Sequence, residues 1–225
     1  MDALSLTLKA NALTTPDRAK ALGTGLASKH DNALIFAINA VSAAIHRAVR
    51  RPLYQVTYTE ESPELLQGHG RELLQLRAYP ILEVTSVLIG GVADEEFSSA
   101  RQFLDEGKLY REAGWPWDAP AYTDLTCDIN FSRLRYNVAV AYVGGYITPK
   151  QEEDGVEDGE PLPEELEQAT FREVSDLLNG ARGSGRILSE RTAGGYAVTY
   201  AMSGAVSLSV ETQDVLSGYV LGALP

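Results

Sequence analysis

The sequence predicts an α+β fold. A helical bundle, made of an N-terminal helix pair and a later helix, carries an inserted small, mostly antiparallel β region and an extended C-terminal arm. Three observations carry that expectation. The stretches "KHDNALIFAINAVSAAIHRAVRRP" and "LPEELEQATFREVSDLLNG" repeat apolar residues at helical spacing. Between them, after Pro52, the repeat shortens to two residues, the period of a half-buried strand. Glycine, proline and acidic residues then punctuate the joints.

Residues 1–51 form the N-terminal helices. Thr15 is placed as an N-cap, Pro16 as the first helical residue and Asp17 in the first turn, with Gly23 as the stop. In the next helix Leu34, Ile38, Val41, Ile45 and Val49 make one stripe, flanked by Ala37, Ala44 and Ala48. Asp31 lies at its positive end; Arg47, Arg50 and Arg51 lie at its negative end, and Pro52 stops it. The alanines permit close approach of another helix, which suits a bundle or a subunit contact.

Residues 52–147 form the β region, with strands in "LYQVTYTEE", "RELLQLRAYPI", "EVTSVLIGG" and "RYNVAVAYVGG" and a hairpin around Asp105-Glu106-Gly107. An irregular loop bearing Trp115 and Trp117 follows that hairpin. Residues 148–162 read as a mobile acidic loop. Residues 163–180 form a helix that packs on the first ones, with Glu164, Glu165 and Glu167 in its first turn and Leu166, Thr170, Val174, Leu177 and Leu178 inward. Gly180 caps it. Residues 181–225 form the extended arm, ending in a short helix within "ETQDVLSGYVLG".

Composition narrows the function. The 225 residues are 44% hydrophobic and 22% charged, enough for a substantial core. The longest apolar run, "NALIFAINAVSAAI", is shorter than the roughly 20 residues that span a bilayer, so no membrane partner is expected. A single cysteine, Cys127, leaves no internal disulfide and no cysteine-based metal cluster. The net charge is −12, but it is unevenly placed. Residues 1–51 hold seven Lys/Arg against three Asp/Glu, whereas residues 151–167 hold nine acids and no base. Different faces therefore suit different partners, and the overall sign opposes tight wrapping of nucleic acid.

No motif for catalysis or cofactor binding emerges. "YVGGYITPK", "RTAGGYAVTY" and "GARGSG" lack the spacing, the cation and the following helix of a phosphate loop. His30, His46 and His69 are scattered, and "EEDGVEDGE" lacks the ligand alternation of a calcium loop. Ser189 sits in no nucleophile elbow. The expectation is no enzyme, no metal and no cofactor. Trp115 and Trp117 read as a loop plug or subunit contact, with a sugar platform as the competing reading.

Taken in chain order, several segments resemble the head-to-tail connector, or adaptor, proteins of tailed bacteriophages, prophages and gene transfer agents. They are "AVSAAIHRAVRRPL", "GHGRELLQLRAYPI", "EVTSVLI", Trp115-Pro116, "NVAVAYVGGY", the Pro163-x-x-Leu166-x-x-Ala169 helix start and "SERTAGGYAVTY". The acidic loop is longer than the family pattern, and "DLLNGARGSG" replaces aromatic and basic residues expected at that helix end.

The resemblance implies a structural virion protein of the neck, made in the bacterial host cytoplasm. It would form a homo-oligomeric ring, typically of twelve copies, beneath the portal protein. The ring would extend the channel for double-stranded DNA, which passes without specific binding, and would dock the stopper or tail-completion protein. A ring needs two different complementary faces on each subunit. Candidate interface residues are Ile38, Ile45, Arg47, Arg50, Arg51, Leu166 and Phe171. The candidate arm toward the portal or a neighbour carries Ser189, Glu190, Tyr196, Tyr200 and Tyr219. Glu152, Glu153, Asp154, Glu157 and Asp158 would line the lumen or its rim. The alternatives are a stopper or tail-completion protein of the same neck, a carbohydrate-binding β module using Trp115 and Trp117, and a hydrolase built around His46 or His69.

Overall fold

The structure, a computed structural model, describes residues 6–22, 26, 29, 31–94, 102–117, 136–179, 187–192, 196–200 and 208–221. Its fold is α+β, as the sequence predicts. His30, Cys127, Gly180, Gly194 and Gly195 lie outside the described residues.

The helical half forms where the 3.6-residue repeat predicts it. Pro16–Leu22 is helix α1, and the buried Thr15 stands before it. Asp31–Val49 is α2. By length and mean hydropathy α2 is long and apolar enough to cross a membrane. Its inward residues Leu34, Ile38, Val41, Ile45 and Val49 are instead fully buried in the protein's own core. Glu164–Asn179 is α4, reached through a short helix α3 at Pro149–Glu153, and Val210–Ser217 is α5. Leu166 and Val174 of α4 and Leu216 of α5 close the same core.

The β half has its own core. Val138–Gly144 is the central strand β8. On one edge it pairs antiparallel with β4 (Ile81–Ile89), and on the other it pairs with β1 (Val56–Tyr58) and β2 (Glu64–Leu66) in succession. β5 (Val92–Ala93) adds to β4. A second sheet, β3 (Leu73–Gln75), β7 (Lys108–Tyr110) and β6 (Gln102–Phe103), includes the expected hairpin, with Gly107 at φ +67° in its turn. Leu74 and Leu109 of this sheet meet Val87, Val138, Val140, Tyr142 and Trp115. The strand β2 is absent from the sequence expectation.

Three excursions leave the helical core and return to it. The β region is closed at its base by Tyr146 N–H donating to Leu53 O at 2.9 Å. Gly145 makes that closure possible: its φ is +104°, and a Cβ there would stand 2.3 Å from Tyr54 O. The first Gly-Gly-Tyr is thus a structural corner, as expected.

Residues 148–162, read as a mobile acidic loop, include a short helix, α3. Thr148 caps α3 in a reciprocal capping box with Gln151, which fixes the first turn. Ile147 N–H donates to Glu160 O at 2.7 Å, and Leu162 N–H donates back to Ile147 O at 2.9 Å.

The third excursion lies between α4 and α5. It holds an antiparallel pair, β9 (Ile187–Thr192) and β10 (Tyr196–Tyr200). The short helix read within "ETQDVLSGYVLG" is α5, which starts one residue before that stretch. Ser209 and Val210 are its cap and first residue, and α5 packs on α2 and α4.

Candidate functional site

Surfaces, rather than a pocket, are the candidates for function, and three polar clusters fix how those surfaces are held. The first sits where the two halves join. Arg51 follows α2 directly and is 3% exposed. Its Nε donates to Tyr219 O at 2.9 Å, its Nη1 donates to Tyr79 O, and its guanidinium lies 3.4 Å from the Tyr79 ring centroid. Burial lowers its pKa, while the surrounding tyrosines act in the opposite direction. Arginine stays charged in such a setting, so the cation is held by carbonyls and ring faces rather than by a carboxylate. Tyr219 in turn donates its hydroxyl to Glu165. Arg51 staples the β region, the end of α2 and the segment after α5.

The second cluster lies inside the β region. Glu64, 4% exposed, accepts from the Tyr142 hydroxyl and from Arg77 N–H. Arg77 Nε is 3.3 Å from Glu64 Oε1, near enough for charge attraction, yet that oxygen has no hydrogen-bond partner. Burial raises the Glu64 pKa; the Tyr142 hydroxyl and Arg77 pull it back. Burial beside Glu64 also pushes the Tyr142 pKa up, so the phenol keeps its proton and donates it. Tyr58 stacks on Tyr142 at 4.8 Å between centroids.

The third cluster joins α1, α3 and α4. Arg18 reaches Glu167 Oε2 at 2.7 Å and Glu152 Oε2 at 3.4 Å, and Thr14 donates to Glu167 Oε1 at 3.1 Å. Farther along α4, the fully buried Glu173 accepts from both the N–H and the hydroxyl of Ser209, the cap of α5.

His46, His69 and Trp115 have structural roles. His46 Nδ1 accepts from Leu53 N–H at 3.3 Å, which leaves the proton on Nε2, 2.9 Å from Asn11 O. Burial holds its pKa below the ordinary value. His69 is exposed, and its Nδ1 accepts from Arg71 N–H. Trp115 is completely buried, with its indole N–H on Glu72 O at 3.0 Å. It is the loop plug, and it presents no ring face to a sugar. Trp117 is 74% exposed. Among the described residues no group of three His, Cys, Asp or Glu could hold a metal.

The predicted interface residues divide sharply. Ile38, Ile45 and Leu166 are fully buried, and Phe171 and Arg51 nearly so. Their burial corrects their assignment to a subunit interface: Ile38, Ile45, Leu166 and Phe171 pack in the helical core of a single chain, and Arg51 joins that core to the β region. Arg47 and Arg50 are exposed, and neither has an ion-pair or hydrogen-bond partner among the described residues. Beside them α2 leaves Ala33, Phe36, Ala40 and Ala43 uncovered or half-covered, with Phe36 61% exposed. Arg47 also borders an open groove of about 430 Å³ between α2 and α5.

Tyr219, assigned to the arm, is docked against the helical core instead. In the β9–β10 pair the backbones of Ser189 and Thr199, and of Glu190 and Val198, lie in register. Tyr196 pairs with Thr192 and Tyr200 with Ile187. The acidic set Glu152, Glu153, Asp154, Glu157 and Asp158 is exposed on one excursion. Two of these residues, Glu152 and Glu157, line a cleft of about 380 Å³ together with Ile147, Val156 and Pro161.

Sequence reasoning missed Glu64, Glu167, Glu173 and Phe36. A signal existed for two of them: Glu173 keeps helical register with Leu166 and Thr170, and Phe36 is an aromatic residue off the buried stripe of its helix.

Comparison with known proteins adds a likeness of fold. The chain is similar to one chain of a solved structure. That structure is described as the neck of an empty GTA particle computed with C6 symmetry. The match spans 98% of this chain and 97% of that one, at 18% identity and a TM-score of 0.47. Neither a protein-family model nor a curated protein matches this sequence.

Proposed function

We propose that the chain is a structural neck protein of a tailed phage or a related particle, acting as the head-to-tail adaptor. In this reading copies form a ring beneath the portal, extend the DNA channel and present a docking surface to the stopper or tail. The observation that carries the reading is the ordered run of adaptor-like motifs, together with where those motifs fall. "RRP" ends α2 at the Arg51 staple, "AYPI" turns the chain into β4, Trp115-Pro116 plugs the β core, and "GGY" closes that region on the helices. Pro163, Leu166 and Ala169 start α4. The motifs thus mark the joints of the fold, which is where sequence is most constrained by geometry.

Two further features favour a ring subunit. The exposed end of α2 is basic and the 152–158 excursion is acidic, so one chain carries two unlike faces. A strongly acidic surface also suits a channel that duplex DNA must traverse without sticking. The β9–β10 excursion is the candidate portal or neighbour contact.

Loss of the gene from its parent particle tests the reading. Filled heads without tails should accumulate, and added full-length protein should restore tail joining, with ring density directly beneath the portal. Density one layer farther from the portal would make the chain the stopper instead. Normal tailed particles in its absence would end the neck reading altogether.

A further inference from the structure

The arrangement of α2 gives the two unlike faces definite places. Its inward side meets α4. One flank is covered by the N-terminal segment, where Lys9 N–H donates to Asn39 and Leu13 N–H donates to Ser42. The other flank is covered by α5, with Leu216 packed near Ala44 and Ala48. What remains open is the side facing away from α4, carrying Phe36, Arg47 and Arg50. The acidic excursion hangs on another side of the subunit, tied through Arg18 to α1 and α4. Its cleft has an apolar floor of Ile147, Val156 and Pro161 and a rim that includes Glu152 and Glu157.

We infer that the open face of α2, with Phe36 as its apolar contact and Arg47 and Arg50 as its cations, docks on the acidic cleft of a second copy of this chain. The inference rests on the ring reading above and adds the contact that would build it. Charge chooses the occupant: among the described residues the exposed cations have no ion-pair or hydrogen-bond partner, and neither do the side chains of Glu153, Glu157 and Asp158. Chemistry matches as well, because an aromatic ring beside two guanidinium groups complements an apolar floor with a carboxylate rim. Since the two surfaces occupy different sides of one subunit, the contact is heterologous and propagates from copy to copy.

The test uses full-length protein and two charge-reversed variants, R47E/R50E and E157K/D158K, sized by native mass spectrometry and sedimentation at low salt. All four positions are exposed, and the melting curves report that each variant is folded. Wild-type protein should self-associate, and raising the salt should weaken that association. Each variant alone should associate at least tenfold more weakly, because like charges now meet. An equimolar mixture should recover wild-type-sized oligomers of alternating composition, since every neighbouring pair is again opposite in charge. A monomeric wild type, variants that assemble as well as wild type, or a mixture that fails to recover would each overturn the inference. Charge-dependent assembly by a chain that restores no tail joining would remove the neck reading and leave this contact standing.

Discussion

Arg50 and Arg51 are neighbours with opposite fates. Arg51 is drawn inward to two carbonyls and an aromatic face, while Arg50, at φ +59°, turns outward in the left-handed region that glycine prefers after a helix. That conformation costs an arginine about 1 kcal/mol, partly offset because glycine is freer in the unfolded chain. Arg50→Gly should therefore stabilise the monomer by roughly 0.5 kcal/mol and raise Tm by about 1–2 °C. In sedimentation the same variant should self-associate more weakly, since it loses one of the two cations. His46 supplies a pH dependence. Its neutral ring serves Leu53 and Asn11 at once, and burial depresses its pKa, so folding favours the uncharged form. Stability from this group is complete above its ordinary value of 6.5 and is lost as pH falls through the lower folded value. The urea midpoint of wild-type protein should drop as the pH falls below 6.5; in His46→Gln that part of the drop should vanish.

Among the elements, α5 depends most on a single side chain. Glu173 is fully buried on α4, and one of its oxygens takes both the cap N–H and the cap hydroxyl of α5. Glu173→Ala should cost about 2–3 kcal/mol by stranding those donors. Hydrogen exchange should then speed up in residues 211–217 before it does in α2. Ser209→Ala, which removes the cap hydroxyl alone, should cost about 1 kcal/mol. The docking of α5 was not legible in the sequence, because its partner lies more than thirty residues upstream and is a carboxylate, a group ordinarily read as solvated. Glu64 and Glu167 escaped for the same reason. By contrast α2, α4, β8 and the Gly144-Gly145 corner were legible, since spacing and backbone chemistry alone determine them. The α3 turn was legible in principle: Thr148-Pro149-Lys150-Gln151 is a capping-box pattern, masked by the acids that follow. Of the proposed interface residues, only Arg47 and Arg50 remain available to a neighbour. The apolar periodicity that marks Ile38, Ile45 and Leu166 is the very signal of burial within one chain.

At the scale of the molecule, the helical core works as a base from which three excursions project, each leaving and re-entering near one point. Ser209 meets Glu173 on α4, so the chain between α4 and α5 returns close to where it departed. Replacing residues 182–205 with a short Gly-Ser linker should therefore leave α5 docked and change Tm by only a few degrees. The same variant should fail to dock if β9–β10 is the portal contact. Truncation after Gly185 is a poorer test, because it also removes α5 from the core. The closures carry an implication for synthesis on the ribosome. Val49 O, at the end of α2, accepts from Leu221 N–H, and the Arg51 staple is completed by Tyr219 O. Helix α2 can form early, yet its exposed end cannot settle until residues 208–221 have emerged and folded back. A chain that has not yet made these residues therefore lacks the finished end of α2. If copies dock through the open face of α2 as inferred above, the order of translation delays their association until residues 208–221 are in place.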